Sequence, residues 1–444
     1  MDQSLTILQR ALDKLNSGFA DLPPYSADVP AAVEPILMEV AERLQDNFPY
    51  HHPLYAGQML KPPHAVARLA YMLAMWVNPN NHALDGGRAS SAMEKEAVAE
   101  LAMMFGWQAH LGHLTSSGTI ANLEALWIAG KIHPGKKIVA SELAHYTHVR
   151  ISGVLGLKYQ SIRCTKPGQM DVAKLEAELK KGKIGTVVVT MGTTGIGSVD
   201  PLDDILALKE KYNFRVHVDA AYGGYFKLAT GLPEATRRQY ARMHEADSIV
   251  VDPHKHGLQP YGCGCILFRD LNVGQYYKHD SPYTYFSSAE LHLGEISLEC
   301  SRAGAAAVGV WATQRLFPLV NGGDFSARMN SSHQAATRLH EKISADKRFL
   351  TLLAPELDIV IWAPAAASIR AVSEKSRQLF DQAAKRNLHL ALLQYPARLL
   401  PSHWRHVTRD DDHVTCLRSC LMKAEHEEWI GAIWQTIDES FSSL

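Results

Sequence analysis

The sequence predicts an α/β protein: a mainly parallel sheet in a large domain, followed by a smaller α+β C-terminal domain. Three observations lead there. Short apolar, β-branched runs recur at residues 137–140, 186–190, 215–219, 248–252 and 264–268. Helical stretches separate several of them, as at 171–180 and 201–212. Such alternation, with both sheet faces covered, favours parallel strands. After Asn321-Gly322-Gly323-Asp324 the texture changes to a helix-like stretch, a strand near 358–362 and further helices.

The elements follow in chain order. Residues 1–60 read as helices joined by proline-containing turns, at Leu22-Pro23-Pro24 and His52-Pro53. Ser91-Ala92-Met93-Glu94 has the spacing of a capping box, and Val98, Leu101, Ala102 and Phe105 recur behind it at helical intervals, so a helix is expected to start there. The expected division is a helical segment over 1–60, a large α/β domain over 61–322 and a small α+β domain over 323–444. A chain of 444 residues is long enough for two or three such parts.

Composition narrows the function. Hydrophobic residues make up 46% and charged residues 20%, which suits a folded globular protein and not a disordered one. The formal charge of −1 offers no basic surface for nucleic acid. The opening MDQSLTILQRALDKLN lacks the apolar core of a signal peptide, and no apolar run reaches the length of a membrane span, so a cytoplasmic location is expected. The six cysteines form no C-x-x-C pair; buried free thiols are expected, with Cys416 and Cys420 at helical spacing, and no metal site. The expected partners are a small molecule and a second copy of the chain.

Chemistry concentrates where strands end, because ligands of open α/β sheets bind outside the carboxyl ends of the strands. The first such end is Val250-Val251-Asp252-Pro253-His254-Lys255-His256-Gly257. A lysine just past a buried strand can be desolvated, lose basicity and act as a nucleophile toward a carbonyl. The second is Val216-His217-Val218-Asp219-Ala220-Ala221-Tyr222-Gly223-Gly224, whose acid can hold a ring nitrogen protonated; such a pair is worth on the order of 4 kcal/mol at an effective dielectric near 20. The third is Thr115-Ser116-Ser117-Gly118-Thr119-Ile120-Ala121-Asn122, whose hydroxyls and helix-start N–H groups suit a phosphate. Taken singly, each has an ordinary structural explanation: a surface lysine, a helix-capping acid, a simple cap. Together they fit one ligand, an aldehyde bearing a phosphate and a basic ring nitrogen, which is pyridoxal 5'-phosphate.

On the signatures Pro253-His254-Lys255 and His217-Val218-Asp219-Ala220-Ala221-Tyr222-Gly223-Gly224, the chain resembles the group II pyridoxal-phosphate decarboxylases, the family of glutamate, aromatic amino acid and archaeal tyrosine/aspartate decarboxylases, over roughly residues 50–315. The resemblance implies a fold-type I architecture, a lyase acting in amino acid metabolism, and a homodimer with its site at the subunit interface. It implies that Lys255 forms the Schiff base, that Asp219 partners the pyridine nitrogen, that Ala221 packs under the ring and that His145 stacks over it. Ser117, Gly118, Thr119 and His254 are then the phosphate contacts, and Thr190 or Thr193 touches the ring hydroxyl. His145, Tyr283 and Tyr285 are the candidate acids that return a proton to the product. Arg302 is read either as a holder of a carboxylate or phosphate or as a structural ion pair. His51 and Gln58 are candidates for reaching substrate, with Asn78, Asn81 and His82 as further pocket candidates.

Two departures from the family pattern matter. Asp252 stands where several relatives carry asparagine, and a carboxylate beside a phosphate repels it unless it points away, so Asp252 is left out of the phosphate set. The stretch after the lysine, residues 276–299, is short, without a clean match to the family's mobile tyrosine loop. His110 and His113 are expected to pack near a strand, without a metal. Gly192-Thr193-Thr194-Gly195-Ile196-Gly197 lacks the ending of a nucleotide loop. The expected activity is conversion of an L-amino acid to its amine and CO2. Tyr- and His-rich pocket segments favour an aromatic side chain. Acidic and other aliphatic substrates, and a carbon–carbon lyase or aldehyde synthase on the same scaffold, remain alternatives.

Overall fold

The computed structural model describes residues 3–23, 29–82, 86–278, 293 and 296–444. The chain opens with helices α1 (Gln3–Ser17), α2 (Val33–Leu44), α3 (Ala65–Met75) and α4 (Arg88–Met104). The start of α4 differs from expectation. Gly87 occupies its N-cap position, Ser91 lies inside the helix, and Glu94 is buried with Oε1 accepting from Leu114 N at 3.0 Å and Oε2 from Asn81 Nδ2 at 2.6 Å. Three-residue spacing is also that of neighbours within a helix, so the motif alone cannot separate a cap from a buried polar pair.

The large sheet follows: β1 (Leu111–Thr115), α5 (Gly118–Ile132), β2 (Lys137–Ser141), α6 (Thr147–Val154), β3 (Lys158–Ile162), α7 (Val172–Leu179), β4 (Ile184–Thr190), α8 (Leu202–Tyr212), β5 (Arg215–Asp219), α9 (Glu234–Ala241), β6 (Ser248–Val251) and β7 (Gly264–Phe268). Its seven strands run in the order β1-β7-β6-β5-β4-β2-β3. Neighbours from β6 through β3 pair in parallel, and β7 lies antiparallel to both β6 and β1. Every residue of β4 is buried, as expected of a strand covered on both faces. The sequence reading passed over β1 and β3. The first carries Gly112 and His113 among its apolar residues, and the second is an edge strand whose Lys158 and Ser161 remain exposed.

Helices α10 (Gly304–Leu316) and α11 (Asp324–Ala345) lead to a second sheet. It comprises β8 (Phe349–Thr351), β9 (Ile359–Pro364), β10 (Ala391–Pro396) and β11 (His413–Cys420), with α12 (Ile369–Ala384) between β9 and β10 and α13 (His426–Phe441) after β11. The strand order is β10-β11-β9-β8, all antiparallel. Leu339, Val360, Trp362, Leu379, Leu417 and Ile433 pack into one core between this sheet and its helices. The segment before α3 is tied to it: Tyr55 bridges to His389, and Cys420 N donates to Ala56 O at 2.7 Å.

Five cysteines are buried, as expected, but Cys300 is exposed. Cys416 and Cys420 lie on β11 and not on a helix, since an even spacing also returns to one face of a strand. Among the described residues no helix is long and apolar enough to cross a membrane, and no group of side chains is arranged to hold a metal ion.

Candidate active site

Parallel register brings three strand ends level. Thr190 pairs with Asp219, and Asp219 with Val250, so β4, β5 and β6 finish along one line. The N-terminus of α5 enters the same crevice. Between them lies a cavity of about 180 Å³ whose wall includes Ser117, Gly118, Thr119, His145, Thr190, Asp219, Ala221, Asp252, His254 and Lys255. Residues distant in the chain are thus gathered by strand register, not by sequence spacing.

Lys255 sits on the turn after β6, closed by its N–H donating to Asp252 O at 2.9 Å. Its Nζ lies 2.9 Å from Asp252 Oδ2, and His254 Nε2 lies 3.5 Å from the same oxygen. His254 Nδ1 accepts from Cys263 N at 3.4 Å, and burial pushes the imidazole pKa down, which favours the neutral ring. Gly257 is required in this turn, because a Cβ there would meet Tyr225 Oη at 2.4 Å and the Pro253 backbone at 2.6 Å.

Asp219 closes β5. Its Oδ2 is 2.8 Å from His148 Nε2, and its Oδ1 accepts from Ala221 N at 3.1 Å. Burial works to raise the carboxyl pKa, but the hydrogen bond and charge of His148 outweigh it and hold the acid well below the usual carboxylate range. Behind it, His217 joins Ser248 Oγ at 2.9 Å to Asn122 Oδ1 at 2.8 Å, locking β5 to β6 and to α5. Burial lowers the His217 pKa to about 3, so this link is neutral.

At the third corner Ser117 caps α5, its Oγ accepting from Ile120 N at 3.3 Å. The backbone here is tightly backed. A Cβ on Gly118 would fall 2.6 Å from both Asp252 carboxylate oxygens, and one on Gly264 would fall 2.5 Å from the Ser117 carbonyl carbon. Across the cavity, His145 Nδ1 accepts from Thr147 N at 3.3 Å, which leaves the ring proton on Nε2; burial pushes its pKa down. Thr190 Oγ1 is buried with no hydrogen-bond partner.

Other candidates lie elsewhere. Thr193 is buried away from the cavity, its Oγ1 3.0 Å from Ser198 Oγ, and Thr194 lines the cavity instead. Arg302 is committed to Glu94 at 2.5 Å, Leu114 O at 2.7 Å and Asn81 O at 3.3 Å, which corrects its reading as a substrate or phosphate contact. A buried guanidinium needs a paired anion, and Glu94 supplies it. His51 lines a separate open cleft with Phe48, Tyr50 and Tyr261. Gln58 Oε1 is 3.5 Å from Arg418 Nη1 and is not part of the cavity wall. Of the further pocket candidates, Asn81 joins the Glu94 network and Asn78 takes a left-handed backbone conformation with φ of 50°. Neither Asn78 nor His82 is in the cavity wall. Tyr283 and Tyr285 fall outside the described residues.

The sequence reading overlooked His148, whose signal was its three-residue spacing from His145 at the start of α6. It also overlooked Asn122, Thr147 and Tyr222 in the cavity wall. Arg418 escaped it too: buried on β11, it donates to Thr194 O at 2.8 Å and Gly195 O at 3.1 Å, joining the second sheet to the cavity rim.

Comparison with known proteins bears on the family and the fold. The L-tyrosine decarboxylase of Enterococcus faecium is 27% identical over 521 aligned positions, covering 92% of this chain and 84% of that protein. The L-aspartate decarboxylase of Thermococcus kodakarensis is 30% identical over 291 positions, covering 64% of this chain and 72% of that protein. Among solved structures, Oryza sativa TDC with PLP and tryptamine superposes with a TM-score of 0.78 at 17% identity, over 99% of this chain and 96% of that one. The family profile described as the pyridoxal-dependent decarboxylase conserved domain matches residues 21–363, and the chain therefore belongs to that family, as a pyridoxal-phosphate-dependent amino acid decarboxylase.

Proposed function

We infer that the cavity between α5 and the ends of β4, β5 and β6 is the seat of pyridoxal phosphate, and that the enzyme decarboxylates an aromatic L-amino acid there. The observation that carries this is the convergence of Lys255 Nζ, the Asp219 carboxylate and the start of α5 on one cavity. The residues fit the cofactor. A primary amine can take the aldehyde, a permanently ionised acid can face the ring nitrogen, a helix start suits the phosphate, and the partnerless Thr190 Oγ1 can meet the ring hydroxyl.

Bound there, pyridoxal phosphate would supply an electron sink for the pair left on Cα when the carboxylate departs as CO2. The chain supplies position and charge. Asp219, held by His148 and by Ala221 N–H, keeps a fixed negative charge at the strand end. Ala221 offers a small flat surface on one wall and His145 covers another, which orients the substrate's bonds. His145, Tyr283 and Tyr285 are the sequence's candidates for returning a proton to Cα.

The aromatic substrate is supported by the cavity wall, where Lys255 is the only lysine or arginine among the described residues. An acidic side chain needs a further cation. The similarity to the Thermococcus kodakarensis L-aspartate decarboxylase supports an acidic substrate as the second reading. A homodimer is supported by α2, which buries none of its residues and exposes Ile36, Leu37, Met38, Val40 and Leu44. The five buried free thiols suit a reducing, cytoplasmic compartment.

The test is product analysis of the holoenzyme across the proteinogenic L-amino acids, following CO2 and amine. Turnover of tyrosine, tryptophan or phenylalanine is the expected result, and turnover of aspartate or glutamate alone overturns the substrate assignment. An aldehyde with ammonia, or a split carbon chain, overturns the reaction type. Lys255→Ala is expected to lose both turnover and the borohydride-trapped cofactor adduct; full activity in that variant overturns the site.

A further inference from the structure

Asp252 does not turn away from the cavity. It forms part of the wall beside Ser117, Gly118 and Thr119, is 2% exposed, and fills the space that a Cβ on Gly118 would take. One oxygen, Oδ2, is 2.9 Å from Lys255 Nζ. The other, Oδ1, is buried and has no hydrogen-bond partner. A buried carboxylate oxygen without a donor is costly, and here it stands at the start of a helix suited to a phosphate.

No described group donates to Oδ1, and the groups around it add no further charge. His254 approaches only Oδ2, and its lowered pKa favours the neutral ring. His145, across the cavity, is likewise favoured neutral, and Tyr225, Tyr261 and Cys263 all keep their protons to high pH because they are buried. Lys255 Nζ is the one amine beside Asp252 in the described cavity wall, and it is the amine that the cofactor's aldehyde takes. A phosphate dianion brings two further negative charges to the same corner.

Resting on the assignment of this cavity to pyridoxal phosphate, we propose that Asp252 makes cofactor binding a proton-uptake event: its Oδ1 and the cofactor's phosphate share one proton, so the site takes the phosphate as its monoanion. The proton comes from solvent. A phosphate monoester in solution loses its second proton near pH 6, so at neutral pH the free cofactor is mostly dianionic and must gain a proton on entry. The shared proton fills the vacancy at Oδ1 and removes one of the facing charges. No covalent bond changes in this step.

The experiment is phosphorus NMR of the holoenzyme from about pH 6 to pH 9, with cofactor affinity measured across the same range for wild type and Asp252→Asn. The bound wild-type phosphate is expected to hold its monoanion resonance at least about one pH unit above the transition of free cofactor, and the variant to move it to the dianion position. Above that transition the ratio of wild-type to variant affinity is expected to fall about tenfold per pH unit, the slope of one linked proton. Pyridoxal, which lacks the phosphate, is expected to show no such change in ratio. A dianion resonance in the wild type at about pH 7, or a flat affinity ratio, overturns the proposal. The wild-type resonance decides the matter alone if the variant does not fold. Failure of the wild type to bind cofactor at Lys255 overturns the cavity assignment instead, a result distinct from binding without proton uptake.

Discussion

Replacing Asp219 with asparagine removes one charge while leaving the geometry nearly unchanged. The amide oxygen can still accept from Ala221 N, now at 3.1 Å from Oδ1, and the amide nitrogen can donate to His148 Nε2, now at 2.8 Å from Oδ2. To accept there, the His148 ring must be neutral with its proton on Nδ1, which is buried and has no partner, so the imidazole charge facing Asp219 goes with the carboxylate. What disappears is the interaction of a fixed anion with a protonated ring nitrogen. At about 4 Å and an effective dielectric near 20 that interaction is worth about 4 kcal/mol. If all of it acts in the transition state, kcat falls about 1,000-fold, at about 1.36 kcal/mol per factor of ten. The assay is CO2 release under saturating substrate, with borohydride trapping to show that Lys255 still holds the cofactor. A kcat within about threefold of wild type refutes the argument that the Asp219 charge drives the chemistry.

Two further predictions concern stability. Arg302→Ala leaves Glu94 buried without its cation and is expected to cost about 3–5 kcal/mol in denaturant unfolding; a cost below about 1 kcal/mol refutes the pairing as a stabilising necessity. Glu356, whose carboxylate accepts from Val199 N and Gln169 Nε2, has its pKa raised to about 7 chiefly by burial, with nearby Asp200 adding to the effect. The folded carboxyl therefore keeps its proton to higher pH than in the unfolded chain, so its stabilising contribution is full at acid pH and is lost as pH rises through about 7. Glu356→Gln is expected to flatten the fall of Tm between about pH 5 and pH 8 seen by differential scanning fluorimetry, and an unchanged slope refutes the assignment.

The legible part of the site was the part encoded by local rules. Lys255 and Asp219 each follow a buried β-branched run, and Ser117 sits where a helix must be capped, so a reader of strand ends and helix starts meets all three. The large sheet was legible for the same reason in β2, β4, β5, β6 and β7. It was not legible in β1 and β3, whose Gly, His, Lys and Ser residues weaken the apolar signal. Arg302 shows the opposite limit. The family resemblance suggested a ligand contact, but its partner Glu94 lies 208 positions away and lacks any sequence mark of that pairing. His148 was adjacent to a recognised residue and still missed, because its role depends on where Asp219 falls in space.

Chain-local physics alone thus determined the strand–helix alternation, the helix start at Ser117 and the lysine and acid beyond two strand ends, since hydrophobic period, capping and turn chemistry act over a few residues. Tertiary structure decided which polar groups meet. Parallel register levels Thr190 with Asp219, and packing places the Asp252 carboxylate on Gly118 and Asp358 against Tyr222 at 2.5 Å. Burial makes each such meeting consequential, because a polar atom removed from water must find its partner within hydrogen-bond reach, wherever in the chain that partner lies.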